Sequence, residues 1–458
     1  MIVSPAFSGK RFAVLGLARS GLAAAETLLA SGAKVVAWDR QDVAREKVEG
    51  RARLADPLEI DLTGFDGIVA SPGVPLNTHP IAERARRFGV PVIGDVELFA
   101  QARSALPPHK VIGITGTNGK STTTALVHHI LESAGLPARM GGNIGLPILA
   151  QEPLPQGGAY VLELSSYQID LTRTLACDAA ALINITPDHL DRYDDFAAYA
   201  ASKARLLAMQ TPDQFAVFGC ADAPTEAVYA TEQARRAPDR VACADRAGIA
   251  ALQVDWPALQ GPHNLENAAI AAALCAQLGV GQSEIRAAMA SFRGLPHRME
   301  VVAEHRGVLF VNDSKATNQA STAPALAAYP PDAATAGNAR PRVHWIVGGL
   351  PKEDGLGECE AHLGNVAAAY TIGEAGPRFA ELLDGRVRVE RAELMCQALR
   401  LAYAAARSGD VVLLSPACAS FDQFRDYEKR GEYFREIVAM LIGEPARPRE
   451  PFSGKSAA

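Results

Sequence analysis

The stretch KVIGITGTNGKSTTT, Lys110 to Thr124, decides how this chain is read. It opens as an apolar, β-branched run, turns through glycines, and closes on Lys-Ser-Thr where a helix begins. A strand that breaks on glycine and restarts as a helix has the layout of a phosphate-binding loop. Glycines let successive amides face an anion with no Cβ in the way. Lys120 is placed for the β- and γ-phosphates of a nucleotide, and Ser121 for a divalent cation. A helix expected from about Ser121 to Ala134 would aim its positive end at the same anion. The pattern stands one register off the usual loop, because Ile114 lies six residues before Lys120 and the nearest upstream glycine is Gly113. A glycine turn without a ligand does not require strand, glycines, lysine and hydroxyl in this order, so nucleotide binding is the better reading.

Upstream, FAVLG (Phe12 to Gly16), a helix from about Leu22 to Ala30 and KVVAWD (Lys34 to Asp39) make a βαβ start. Between them, GLARSG is like the glycine turn of dinucleotide folds, but Ala18 stands where the central glycine belongs. That favours anion or nucleotide contact over NAD. A strand in DGIVASPGVP and the segment GDVELF follow, and ALPPH reads as a linker. Downstream, AYVLELS and AAALINI are nearly all apolar, as in a parallel sheet covered on both faces. Ligands collect at the carboxyl ends of such strands. Glu163 stands at one end, and NITPDHLDRY puts His189 beyond the next. A carboxylate and an imidazole beside a phosphate loop suit a divalent metal on ATP oxygens. Lys203, in ASKARLL, reads on its own chemistry as an ordinary exposed helix lysine.

GPHNLENAAIAAALCAQLG is an Ala-rich helix, and a third block begins near LPHRME, with strands VLFVND, RVHWIVGG and DVVLLSP. VNDSKATN sets Asp313, Lys315 and Thr317 just past a strand, where alternation would turn all three to one face. SPACASFDQFRDYEKRG adds Ser420 and Tyr427, so a second polar site is expected here. The fold class is α/β with three domains, 1–98, 99–294 and 295–458, and a disordered tail from about 445.

Composition narrows the class further. A chain of 458 residues exceeds one ordinary core, and 48% apolar with 21% charged residues is soluble, globular usage. A net charge of −6 gives no support for nucleic acid or an anionic membrane as the main partner. Seven scattered cysteines without a CxxC pair argue against a disulfide framework or a thiolate metal site. No signal peptide or membrane span is read, so a cytoplasmic protein is expected.

Taken in order, GLARSG, ASPGVP, GDVELF, ITGTNGKST, GGNIGLP, LELSSYQ, NITPDHLDRY, LPHRMEVV, NDSKATN and SPACASFDQF resemble the Mur ligase family, over the whole chain except the tail. That family writes its phosphate loop in the same offset register. The resemblance implies a Rossmann-like N-terminal domain for a uridine nucleotide, a central P-loop ATPase-type domain and a Rossmann-like C-terminal domain. It implies an ATP-dependent amide ligase acting on UDP-N-acetylmuramoyl-L-alanine and D-glutamate in peptidoglycan precursor synthesis, as a cytoplasmic monomer with no nucleic-acid partner and no membrane insertion. Gly116, Thr117, Asn118, Gly119, Lys120, Ser121 and Thr122 would hold ATP phosphates, with Asn264, Asn267, Arg298 and Asp313 along the adenosine and phosphate path. Two Mg²⁺ sites are implied, drawing on Ser121, Glu163, His189 and Lys203, with Lys203 matching a lysine that CO₂ carbamylates. Arg19, Ser20, Asp39, Arg40, Ser71 and Asn143 fall where the family grips UDP and the muramoyl arm, with Ser165 and His189 as further substrate contacts. Lys315, Thr317, Lys352, Ser420 and Tyr427 fall at the glutamate pocket, and Lys120, His189, Lys203 and Lys315 are the implied catalytic set.

Overall fold

Three sheets built on apolar strands organise the chain, and each presents its loops at the strands' carboxyl ends. In the computed structural model residues 1–188, 192–331, 339–352 and 354–443 are described. The first sheet holds β1 (Arg11–Leu15), β2 (Lys34–Trp38), β3 (Arg53–Leu54), β4 (Gly67–Ala70) and β5 (Val92–Ile93), ordered β3-β2-β1-β4-β5 and parallel throughout. The second holds β6 (Lys110–Thr115), β7 (Ala138–Gly142), β8 (Ala159–Glu163), β9 (Ala179–Leu182), β10 (Phe215–Phe218) and β11 (Val241–Cys243), ordered β11-β10-β9-β6-β8-β7 and again parallel. The third holds β12 (Glu300–His305), β13 (Val308–Asn312), β14 (Val343–Gly348), β15 (Val366–Ile372), β16 (Arg388–Glu393) and β17 (Val411–Leu414). Its order is β12-β13-β17-β14-β15-β16, with only the edge strand β12 antiparallel.

Every residue of β4, β8, β9, β14 and β17 is buried, as expected of strands covered by helices on both faces. The helix after β6 runs Lys120–Ser133 and buries Leu126, Val127, Ile130 and Leu131 at helical spacing. The chain forms two compact units. Residues 1–245 and 266–288 carry the first two sheets, and residues 246–265 with 289–458 carry the third. The division falls within the helix Pro262–Gln277.

Two expectations are corrected. Cys220 and Cys243 form a disulfide with Cα atoms 6.0 Å apart, whereas the irregular spacing argued against a disulfide framework. The cause is topological: β10 and β11 pair with Phe218 opposite Cys243, which brings residues 23 positions apart alongside each other. Residues 313–318 leave β13 as a turn, with the Ala316 amide donating to the Asp313 carbonyl, so strand alternation does not govern where Asp313, Lys315 and Thr317 point. The expected tail from about 445 lies outside the described residues. No helix among the described residues is long and apolar enough to cross a membrane.

Candidate active site

β6 pairs with β8 on one side and β9 on the other, so its loop emerges between two neighbouring strand ends. The chain just past β9 fixes that loop. Asn184 Oδ1 accepts from the amides of Thr117 at 3.1 Å and Asn118 at 2.8 Å. Thr117 Oγ1 donates to the Thr186 carbonyl at 3.1 Å and shares a hydrogen bond with the Tyr199 hydroxyl. Gly119 has φ +81°, and a Cβ there would lie 2.3 Å from Asn267 Oδ1, so glycine is required. Asn267 Oδ1 also accepts from Thr123 Oγ1, which ties the second helix to the first. The helix begins at Lys120, Ser121 is buried in its first turn, and Thr122 is half-buried beside it. Lys120 Nζ donates to the carbonyls of Gly116 at 2.9 Å and Thr117 at 2.7 Å.

Lys203 is not the exposed lysine its local sequence suggests. Tyr199, Ser202, Lys203, Leu206 and Leu207 form the buried face of the helix Phe196–Ala208, and Lys203 is only 2% exposed. Its Nζ donates to the Gly116 carbonyl at 2.8 Å, the same oxygen that Lys120 engages, and lies 4.6 Å from the Tyr199 ring centre. Burial, and then the nearby Lys120 charge, pull its pKa down from 10.5 to about 7.

Glu163 ends β8 and is buried. Oε1 accepts from Asn143 Nδ2 at 2.9 Å, while Oε2 is buried with no hydrogen-bond partner among the described residues. A buried carboxylate oxygen left this way is costly, and a hard divalent cation would satisfy it, so the residue fits Mg²⁺. His189 lies outside the described residues. Among the described residues no group of three His, Cys, Asp or Glu side chains converges as a metal cluster.

In the first sheet the same logic places the glycine turn after β1, Asp39 after β2 and Ser71 after β4. Asp39 Oδ2 accepts from the Leu17 amide at 2.6 Å, and Ser71 Oγ donates to the Gly16 carbonyl at 3.1 Å. Gly21 packs so closely that a Cβ would lie 1.8 Å from the Gly16 oxygen. Asp39 and Ser71 therefore shape the turn. Arg19, Ser20 and Asn143 line a cleft of about 150 Å³ with Gly142, Gly145 and Gln168, and Arg19 donates to the Gly145 carbonyl. Arg40 is exposed and does not line that cleft. Ser165 caps the helix Ser166–Asp170 in a reciprocal box with Gln168, which accounts for its position without a ligand.

In the second unit, Asp313 is buried, with Oδ1 accepting from the Met299 amide at 3.1 Å and Oδ2 from Ser415 Oγ at 2.7 Å. Burial pushes its pKa up to about 7 against those hydrogen bonds and the charges of Arg298 and Arg430. Lys315 Nζ sits 3.9 Å above the Tyr427 ring, and Lys352 Nζ donates to Thr317 Oγ1 at 3.1 Å. Asp313 is thus held inside the unit, Lys315 lies over the Tyr427 ring, and Thr317 accepts from Lys352. Ser420 is buried in the loop after β17. Arg298 is half-buried, and Asn264 Nδ2 donates to the Gln260 carbonyl at 3.1 Å. Sequence reasoning missed Asn184, Thr186 and Tyr199, which fix the phosphate loop, although the NIT that follows β9 offered the signal. It also missed Arg430.

Phosphate loop, buried lysine and three sheets with strand-end loops together define a nucleotide-using α/β enzyme. Residues 114–245 match the Mur ligase middle domain, and residues 297–418 match the Mur ligase glutamate ligase domain. The chain is 64% identical to the UDP-N-acetylmuramoylalanine--D-glutamate ligase of Novosphingobium aromaticivorans, over 98% of both chains. It is 57% identical to the enzyme of the same name from Sphingopyxis alaskensis, over 96% of this chain and all of that one. The chain belongs to the Mur ligase family. Among solved structures, the UDP-N-acetylmuramate-alanine ligase of Thermotoga maritima is similar at a TM-score of 0.54 and 16% identity, covering 94% of this chain and 99% of that one. That likeness concerns the fold.

Proposed function

We propose that the chain is an ATP-dependent ligase that adds D-glutamate to UDP-N-acetylmuramoyl-L-alanine in peptidoglycan precursor synthesis, working as a cytoplasmic monomer. The observation that supports this most is the end-to-end identity of 64% with a ligase of that name. The division of labour follows the three sequence blocks 1–98, 99–294 and 295–458. The cleft at Arg19, Ser20 and Asn143 receives the uridine-linked substrate, the loop at Lys120 receives ATP, and Lys315, Thr317, Lys352, Ser420 and Tyr427 receive glutamate.

A carboxylate is a poor acyl donor because its leaving group would be oxide. Transfer of the γ-phosphoryl group to the substrate carboxylate makes an acyl phosphate. The amine of glutamate then attacks its carbonyl carbon, phosphate leaves with the C–O bonding pair, and the amine loses a proton. Lys120 moves from loop carbonyls to the phosphates and screens the repulsion between two anions, while the loop amides donate to phosphate oxygens. Ser121, Glu163 and His189 would hold Mg²⁺, which when bound neutralises phosphate charge. Lys203 is set up for carbamylation, because an amine with a pKa of about 7 is substantially neutral at physiological pH and can attack CO₂, losing a proton. The product is an anion beside Lys120, so carbamylation sets opposite charges side by side.

The test is phosphate release from Mg·ATP and UDP-N-acetylmuramoyl-L-alanine with each amino acid added in turn. Release that depends on D-glutamate is expected. Release with another amino acid alone would reassign the substrate, and no stimulated release would overturn the reading.

A further inference from the structure

Arg430 lies in the helix Tyr427–Ile442 and is 1% exposed. A guanidinium this deep is normally paired with a carboxylate. No acidic group among the described residues lies within ion-pair distance of it; Asp422 and Asp313 act on it only through space. Its donors go to backbone and a hydroxyl instead. Nε donates to Ser314 Oγ at 3.1 Å, one terminal nitrogen to the Ala419 carbonyl at 3.1 Å, and the other to the carbonyls of Ser314 at 2.9 Å and Cys418 at 3.0 Å.

These acceptors belong to the segments that carry the proposed glutamate contacts. Ser314 precedes Lys315 and, through Oγ, donates to the Tyr427 carbonyl at 2.8 Å. Cys418 and Ala419 precede Ser420. Ala419 exchanges two backbone hydrogen bonds with Leu350, two residues before Lys352. At Gly349 a Cβ would lie 2.4 Å from the Ala419 oxygen and 3.1 Å from an Arg430 nitrogen, so this approach is tight on every side. Three separate chain segments, at Ser314, at Gly349 to Leu350 and at Cys418 to Ala419, therefore meet around one side chain.

We infer that Arg430 is a positioning residue for the acidic amino-acid pocket: it holds the loops after β13, β14 and β17 in register and places a positive charge behind them. The inference rests on the glutamate-ligase reading above. Lysine cannot replace it, because a single ammonium cannot span four acceptors arranged for a planar fork.

The experiment is steady-state kinetics of Arg430→Lys in the full chain, with D-glutamate, ATP and the uridine substrate varied separately. KM for D-glutamate is expected to rise about tenfold or more, with KM for the other two within about twofold and kcat at saturating glutamate within about threefold. A glutamate KM that does not move, or three KM values that rise together, would overturn the proposal. If this variant loses its cooperative melt, Ser314→Ala provides the second arm, since it cuts the link from Arg430 to Tyr427 and keeps the charge. It is expected to raise the glutamate KM several-fold and leave that for ATP unchanged; no change would count equally against the idea. Wild-type enzyme that ignores D-glutamate would overturn the function reading and this inference together, whereas D-glutamate-dependent wild type with unmoved variants would sink only this inference.

Discussion

Lys203 shows how far one residue can depart from its local sequence. ASKARLL gives a lysine among small and basic neighbours, and only the burial of Tyr199, Leu206 and Leu207 on the same helix face reveals that it points inward. Removing it by Lys203→Ala is expected to abolish ligation, with partial recovery in bicarbonate or short carboxylic acids that restore an anion; wild-type turnover of that variant would remove the carbamate assignment. The same residue has a thermodynamic signature in CO₂-free buffer. Its pKa falls from 10.5 to about 7 on folding, so between those values the unfolded chain binds more protons. The cost of burying this amine is therefore complete at or below pH 7 and fades as pH rises towards 10.5. Lys203→Met is expected to stabilise the protein by roughly 3–5 kcal/mol near pH 7, a gain that shrinks to nothing towards pH 10.5. A pH-independent difference in melting between the two proteins would contradict this.

At the scale of elements, the helix Asp95–Ala102 places two buried acids in its first turn with opposite consequences. Glu97 accepts from the amides of Arg173 and Thr174 and from the Thr174 hydroxyl, whereas neither oxygen of Asp95 meets a partner of good geometry among the described residues. Burial pushes the Asp95 pKa from 3.8 up to about 6, only partly offset by the amides at the helix start. Folding then takes up a proton, so the Asp95 penalty is absent below about pH 4, grows between 3.8 and about 6, and is complete above that. Asp95→Asn is expected to stabilise by up to roughly 3 kcal/mol at pH 7.5 and to lose that gain towards pH 4, while Glu97→Gln costs about 1–3 kcal/mol. Chemical denaturation at the two pH values measures both, and a destabilised Asp95→Asn at pH 7.5 would refute the assignment. The apolar runs made the strands and the parallel sheets legible, and glycines before Lys120 marked the phosphate loop. The turn after β13 was not legible, because the polar run DSKATN fits strand alternation and turn equally well. The Cys220–Cys243 bond depended on which strands become neighbours, and that is a property of the sheet order rather than of either strand.

For the whole molecule, the two units differ in what a nucleotide reaches. Asn264 and Asn267 stand three positions apart on one helix, about one turn, yet they belong to different compact units. The phosphate loop lies in the first unit, while Arg298 and Asp313 lie in the second. A chain of two units can open each one separately, so a single melting temperature would average over them. Amide hydrogen exchange resolves them. With a non-hydrolysable ATP analogue and Mg²⁺ at about 100 times Kd, linkage supplies about 2.7 kcal/mol of stabilisation to whatever opens only when the ligand leaves. Exchange is expected to slow at Gly116 to Thr124 in the first unit. Lys120→Ala should weaken this protection, since the loop lysine anchors the phosphates. Unchanged exchange at Gly116 to Thr124 would remove the loop from the nucleotide site.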